Sequence, residues 1–249
     1  MLLIRSALFN VLFLLWTIGL GLAIVVPGLA GPRRWTQRCA RLWGCGVFLL
    51  LRRVVGLSHE VHGLENIPAG TVIIAAKHQS AWDTLLFHTL LEDPVFVVKK
   101  ELFLIPVIGW LMRKSGCIGI DRSNGMQALK KMIQGVKDAA DNGSQLVIFP
   151  EGTRTAPGVS SVYQPGIALL YKRAPLIIVP VALNSGLFWG RRRFVKRPGH
   201  ILVEFLPPLP VGLERHAFLA ALQCRIDSTT RRLEQNSLMP CVQARTDQS

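Results

Sequence analysis

Negative charge is scarce in this chain of 249 residues: fifteen aspartates and glutamates stand against 29 lysines and arginines, a formal balance of +14. Such an excess points to a polyanionic partner, either nucleic acid or an anionic membrane. Zinc-finger spacing and RNA-binding signatures are missing, which removes the support for nucleic acid. Cysteines are few and poorly placed for crosslinking: Cys39, Cys45, Cys117, Cys224 and Cys241 are odd in number and include no CxxC pair. Neither a disulfide framework nor a zinc site is indicated, in keeping with a reducing cytosol. Cys117, beside Ile118, reads as a small buried hydrophobe. No Gly-X-Ser-X-Gly elbow occurs, so a serine nucleophile lacks its usual setting. There is no internal repeat and no low-complexity tract.

The longest absence is of charge altogether. Half of the residues are apolar, and none from Ala7 to Gly31 is charged. That run exceeds the roughly 20 residues that cross a hydrocarbon core, and it reads as a membrane helix. A signal peptide is the alternative, supported by Arg5 and the small residues Gly28-Leu-Ala30, but its apolar region would be too long. A second apolar run, Leu42 to Leu51, is too short to span and suits an interfacial or re-entrant segment, so the two pieces form one membrane-docking hairpin. Arg33, Arg34, Arg38 and Arg41 follow the first run while only Arg5 and the terminal amine precede it, which puts the remainder on the cytoplasmic side. Arg191-Arg-Arg193 with Lys196 and Arg197, after Leu187-Phe-Trp189, reads either as a loop at lipid head groups or as a solvated surface loop.

What is present, against this background, is a base and an anion grip. His78 and Asp83 lie in Lys77-His-Gln-Ser-Ala-Trp-Asp-Thr84, and Phe149-Pro-Glu-Gly-Thr-Arg154 follows some seventy positions later. An imidazole whose tautomer is held by a carboxylate removes a proton from a hydroxyl near neutral pH. Asp83 has an ordinary reading too, because Ser80-Ala-Trp-Asp83 fits a helix capping box, and the two roles are compatible. Arg154, after a Gly-Thr turn, suits a bidentate phosphate contact or a surface salt bridge. Lys100 and Arg122 are open between phosphate contact and pairing with Glu101 or Asp121. Glu151 reads as a loop-orienting and binding residue. The remaining histidines, His59, His62, His88, His200 and His216, read as ordinary surface or core residues.

Strands are expected at Thr71 to Ala76, Val95 to Val98, Cys117 to Ile120, Gln145 to Phe149, Leu176 to Leu183 and Ile201 to Phe205. Helices are expected at Ala81 to Leu91, Met126 to Ala140, Gly166 to Lys172 and Leu213 to Leu233. Both chemical motifs then sit where strands end, the usual ligand edge of an open α/β sheet. The expected fold is α/β, a mixed and largely buried sheet flanked by helices, with the N-terminal helical segment for membrane docking. The implied organisation is a membrane segment at 1–57, an α/β domain at 58–234 and a frayed polar tail at 235–249.

Four blocks in order resemble the membrane-bound glycerolipid acyltransferases that act on 1-acyl-glycerol 3-phosphate. They are His78 to Asp83; Lys100-Glu-Leu102 with Pro106, Gly109 and Gly116 to Arg122; Phe149 to Arg154; and Val179-Pro-Val-Ala-Leu183. The resemblance implies acyl transfer from a thioester, acyl-CoA or acyl carrier protein, to the sn-2 hydroxyl of a lysophospholipid acceptor, giving phosphatidate. It also implies His78 and Asp83 as catalytic, Lys100, Arg122, Glu151, Gly152, Thr153 and Arg154 as substrate-binding, and no further cofactor or metal. Lys77 departs from the family, which commonly has Asn there. A cation beside His78 is expected to disfavour the imidazolium and keeps other acceptors open, glycerol 3-phosphate or a phosphate-free lysolipid such as lyso-ornithine lipid. A lipase-like hydrolase and a membrane-anchored lipid-binding protein are the more distant alternatives.

Overall fold

The computed structural model describes residues 1–121, 125–173 and 176–246, with side chains from 24–30 and 239–246 excepted. Arg122 therefore lies outside the described residues, and so does the side chain of Cys241. The other four cysteines are free thiols, and Cys117 packs partly buried against the apolar core, close to its expected place.

A seven-stranded sheet carries the fold, in the spatial order β1 (Leu57–His62), β7 (Gly199–Phe205), β6 (Ile178–Leu183), β2 (Ile73–Ala76), β5 (Gln145–Ile148), β3 (Pro94–Lys99) and β4 (Ile118–Ile120). Every neighbouring pair is parallel except β6 with β7, which makes the sheet mixed, as expected. Side chains alternate between the two faces of a strand, and here both faces are covered. Ile74, Ala76, Val147, Val179 and Val181 point into one core, and Ile73, Ala75, Leu146, Ile148 and Ile178 into the other.

The first core is closed by α1 (Leu2–Ala30), α2 (Arg33–Leu50) and α3 (Trp82–Leu90). The second is closed by α5 (Gly125–Asp141), α6 (Gly166–Arg173) and α7 (Arg215–Thr246), with α4 (Ile108–Lys114) lying between β3 and β4 in sequence. Helical spacing explains the inward faces: Ala128, Met132 and Val136 on α5, and Phe218, Leu222 and Ile226 on α7, recur every four residues.

The two N-terminal helices pack as a hairpin. Trp16 Nε1 donates to Trp43 O at 3.1 Å and Trp43 Nε1 to Thr17 Oγ1 at 3.0 Å. Gly46 allows this approach, since a Cβ there would lie 2.3 Å from the Trp16 ring. The short apolar run is thus the second half of a longer helix that rests on α1 and, through Gly44, on α3. Among the described residues α1 is the one helix long and apolar enough to cross a membrane, and Leu3, Ile4, Leu14, Leu15 and Leu22 on it are exposed.

α7 runs on past residue 235, where the polar tail is expected, as far as Thr246. Asn184 Nδ2 holds this stretch by donating to Leu233 O at 3.2 Å and Ser237 Oγ at 2.7 Å. Lys196 is buried rather than set at a surface: its ammonium donates to Asn10 Oδ1 at 2.7 Å and lies over the rings of Phe9 and Trp189. Burial lowers its pKa from the ordinary lysine value.

Candidate active site

Three adjacent strands end at one edge of the sheet. β2 runs parallel to β5 on one side and β6 on the other, so the segments after Ala76, Ile148 and Leu183 emerge together. They carry Lys77 to Ser80, Phe149 to Thr155, and Asn184 with Ser185.

His78 is held from both its ring and its backbone. Its Nδ1 lies 3.0 Å from Asp83 Oδ2, and a carboxylate can only accept there, so Nδ1 carries the proton and Nε2 keeps its lone pair. The ring stacks on Phe149 with centroids 3.9 Å apart and planes at 18°, and the side chain is 14% exposed. Past Lys77, whose N–H still bonds Val181 O at 2.9 Å, the sheet ladder is over. The His78 N–H instead donates to Glu151 Oε2 at 3.0 Å, and His78 O accepts from Thr155 N at 2.8 Å.

Asp83 is fully buried and acts as both a cap and an orienting group. Its Oδ2 accepts from the backbone N–H groups of Gln79 at 2.7 Å and Ser80 at 2.8 Å, and its Oδ1 from Ser185 Oγ at 2.5 Å. Ser80 Oγ in turn accepts from Trp82 N at 3.1 Å. Only half of the expected capping box forms: Asp83 reaches back to the Ser80 N–H, but Ser80 Oγ bonds two residues on rather than three, and the regular helix starts at Trp82 after Ala81, which supplies no side-chain cap.

Glu151 is buried and oriented by several donors. Lys77 Nζ reaches its Oε1 at 2.6 Å, and Thr155 Oγ1 reaches the same oxygen at 2.9 Å. Gly152 follows with φ at 70°, a left-handed turn that glycine adopts without strain. Thr153 is exposed and Arg154 half-buried on the same turn, and no carboxylate among the described residues pairs with the Arg154 guanidinium. Lys100 pairs with Asp121, and that hydrogen bond raises its pKa from the ordinary value. Nothing in the described contacts brings Lys100 to His78.

Lys77 corrects the sequence reading. Its side chain does not face the imidazole but enters the interior, 2% exposed, between Glu151 and Asp227. Burial alone would lower the ammonium pKa, yet the hydrogen bonds and charges of Glu151 and then Asp227 outweigh it and leave it raised. Its charge is therefore spent on two carboxylates rather than on His78.

A model of the Acyltransferase family matches residues 58–184, which include all three strand ends. A 1-acyl-sn-glycerol-3-phosphate acyltransferase of Pseudomonas aeruginosa is 33% identical over 232 residues, covering 90% of this chain and 88% of that protein. The chain belongs to the acyltransferase family. Another relative, the 1-acyl-sn-glycerol-3-phosphate acyltransferase of Limnanthes alba, is 32% identical over 69% of this chain and 62% of its own. The crystal structure of the 1-acyl-sn-glycerophosphate acyltransferase PlsC from Thermotoga maritima has the same fold, with a TM-score of 0.76 at 21% identity, over 94% of this chain and 99% of that one.

In this acyltransferase, sequence reasoning missed the groups that hold the site from a distance: Thr155, Ser185, Asp227 and Glu234. Thr155 and Ser185 adjoin recognised blocks and were within reach of the motif reading. Asp227 and Glu234 carry no local signal except their seven-residue spacing, which places both on one face of a helix.

Proposed function

We propose that this acyltransferase moves an acyl chain from a thioester, acyl-CoA or acyl carrier protein, to the sn-2 hydroxyl of 1-acyl-glycerol 3-phosphate. The observation that carries the reading is the His78 to Asp83 bond, which leaves Nε2 as an acceptor at the strand edge beside the Glu151 to Arg154 turn. The hydroxyl proton passes to Nε2 as the oxygen attacks the thioester carbonyl. The tetrahedral intermediate then collapses, the carbon to sulfur bond breaks, and the thiolate takes the proton back from the imidazolium. Phosphatidate and the free thiol are the products, and no covalent acyl-enzyme is needed because a thioester is already activated. Arg154, unpaired among described carboxylates, is the proposed phosphate contact.

The names of the relatives support this acceptor, and Lys77, the departure that kept a phosphate-free one open, is buried between Glu151 and Asp227. The apolar hairpin holds the site at the cytoplasmic face of an anionic membrane, where arginines at 34, 38, 52 and 53 are exposed beside it. Purified protein in detergent, given each donor with lysophosphatidate, glycerol 3-phosphate or a phosphate-free lysolipid, tests the assignment. Lysophosphatidate is expected to be preferred; a faster reaction with the phosphate-free acceptor overturns it. His78→Ala is expected to lower turnover by about 10²- to 10⁴-fold, and parent-like turnover removes His78 as the base.

A further inference from the structure

We infer that α7, which lies outside the residues matched by the family, is a positioning element for acyl transfer. Asp227 and Glu234, two turns apart on its inner face, hold the residues on either side of His78. This rests on the reading of His78 as the base.

Lys77 Nζ donates to Asp227 Oδ1 at 3.0 Å, and Gln79 Nε2 to Glu234 Oε1 at 2.7 Å. All four side chains are buried. Each anchor is itself fixed: Ser160 Oγ donates to Asp227 Oδ2 at 2.6 Å, and Gly158 N to Glu234 Oε2 at 3.1 Å. Gln79 Oε1 also accepts from Gly186 N at 3.0 Å, which ties the turn to the segment bearing Ser185. Tyr163 stays protonated beside Asp227, because burial and then the charges of Asp227 and Glu151 raise its pKa.

Geometry separates this role from plain stabilisation. The sheet ladder ends at Lys77, so the backbone of His78 is located by Glu151 and Thr155, and Glu151 is located by Lys77. Losing the Lys77 charge leaves Glu151 and Asp227 buried with no cation between them, and the carboxylate on the His78 N–H must move or acquire a proton. The imidazole then loses its aim. Lys77 itself is too deeply buried to touch an acceptor.

The test is steady-state kinetics on Lys77→Met, Asp227→Asn and Glu234→Gln in the full-length protein, with melting temperatures alongside. Turnover is expected to fall by about 10- to 10²-fold, as misplacement of a reacting group by around an ångström does, with KM for both substrates steady. Lys77→Met combined with Asp227→Asn should lose little more than Lys77→Met alone, since the two act as a unit. Ile226→Val, buried on the same helix but packed in the second core, supplies the comparison: it should lower the melting temperature and spare turnover. If Lys77→Met does not fold, Asp227→Asn and Glu234→Gln still decide the matter, because Asp227→Asn keeps the Lys77 to Glu151 pair. A rise in KM at constant turnover, unchanged kinetics, or turnover that falls with melting temperature across all the variants, Ile226→Val included, overturns the inference. An active His78→Ala protein would defeat the base reading, whereas an inactive one with unaffected α7 variants defeats only the role of α7.

Discussion

Asp83→Asn separates the charge of the orienting group from its shape. An asparagine in the same rotamer keeps an oxygen where Oδ2 stands, so it still accepts from Gln79 N, Ser80 N and His78 Nδ1. Its amide nitrogen replaces Oδ1 opposite Ser185 Oγ, and a hydroxyl rotates to accept as readily as to donate. The fold and the tautomer therefore survive, and what disappears is the negative charge facing the imidazolium that forms during transfer. At 3.0 Å and an effective dielectric near 20, opposite unit charges attract by about 5.5 kcal/mol. Screening at the solvent edge reduces this to about 3–5 kcal/mol, equivalent to about 10²- to 10⁴-fold in rate. Turnover of lysophosphatidate, measured by thiol release at saturating donor, should fall within that range while the melting temperature stays within a few degrees. Turnover within threefold of the parent in a folded protein would refute the electrostatic argument. Asp83→Ala is the contrast, since it also strands the Gln79 and Ser80 donors and should cost about 1–3 kcal/mol of stability per stranded group.

Stability should also fall in acid through His88. Burial holds its ring down to about 4, and Nδ1 is buried without a partner. The unfolded chain takes up a proton near pH 6.5 while the folded one resists until about 4, so stability present above that window is lost as pH falls through it, by at most about 3 kcal/mol. Melting temperature from pH 7.5 to 4.5 should decline less steeply in His88→Leu than in the parent; equal slopes would remove His88 as a cause. At the membrane, Arg34, Arg38, Arg52 and Arg53 are exposed, and each contributes about 1 kcal/mol near an anionic surface. Replacing all four by Gln should weaken binding to phosphatidylglycerol vesicles by about 10²- to 10³-fold at low salt and much less at high salt. Unchanged partitioning in cosedimentation would assign binding to the apolar hairpin alone.

The fold class was legible because buried parallel strands are short apolar runs, and runs such as Ile73 to Ala76 and Ile178 to Leu183 stand out between helical patterns. Their order in the sheet was not legible, since nothing local says that β1 pairs with β7 across more than a hundred residues. Helix α4 also went unread, being only seven residues long and amid loop signals. At the site, His78, Asp83 and the Glu151 turn were legible as compact local motifs, and the fold brings them to one edge of the sheet. Lys77 was misread for the same reason: adjacency in sequence implied adjacency of charge to the ring, whereas the strand carries successive side chains to opposite sides.

By itself the sequence determined the periodicities, the apolar N-terminus, the Asp83 bond back to the Ser80 N–H and the ordered motifs, all of which depend on neighbours within a few residues. Only the tertiary structure decided where Lys77 sends its charge, which donors hold Asp83 and Glu151, and that the last helix reaches the site. Those outcomes depend on desolvation, and a buried charge accepts whatever partner the packed chain brings within about 3 Å, however distant it is in sequence. Asp227 is 150 residues from Lys77, and the fold brings them together.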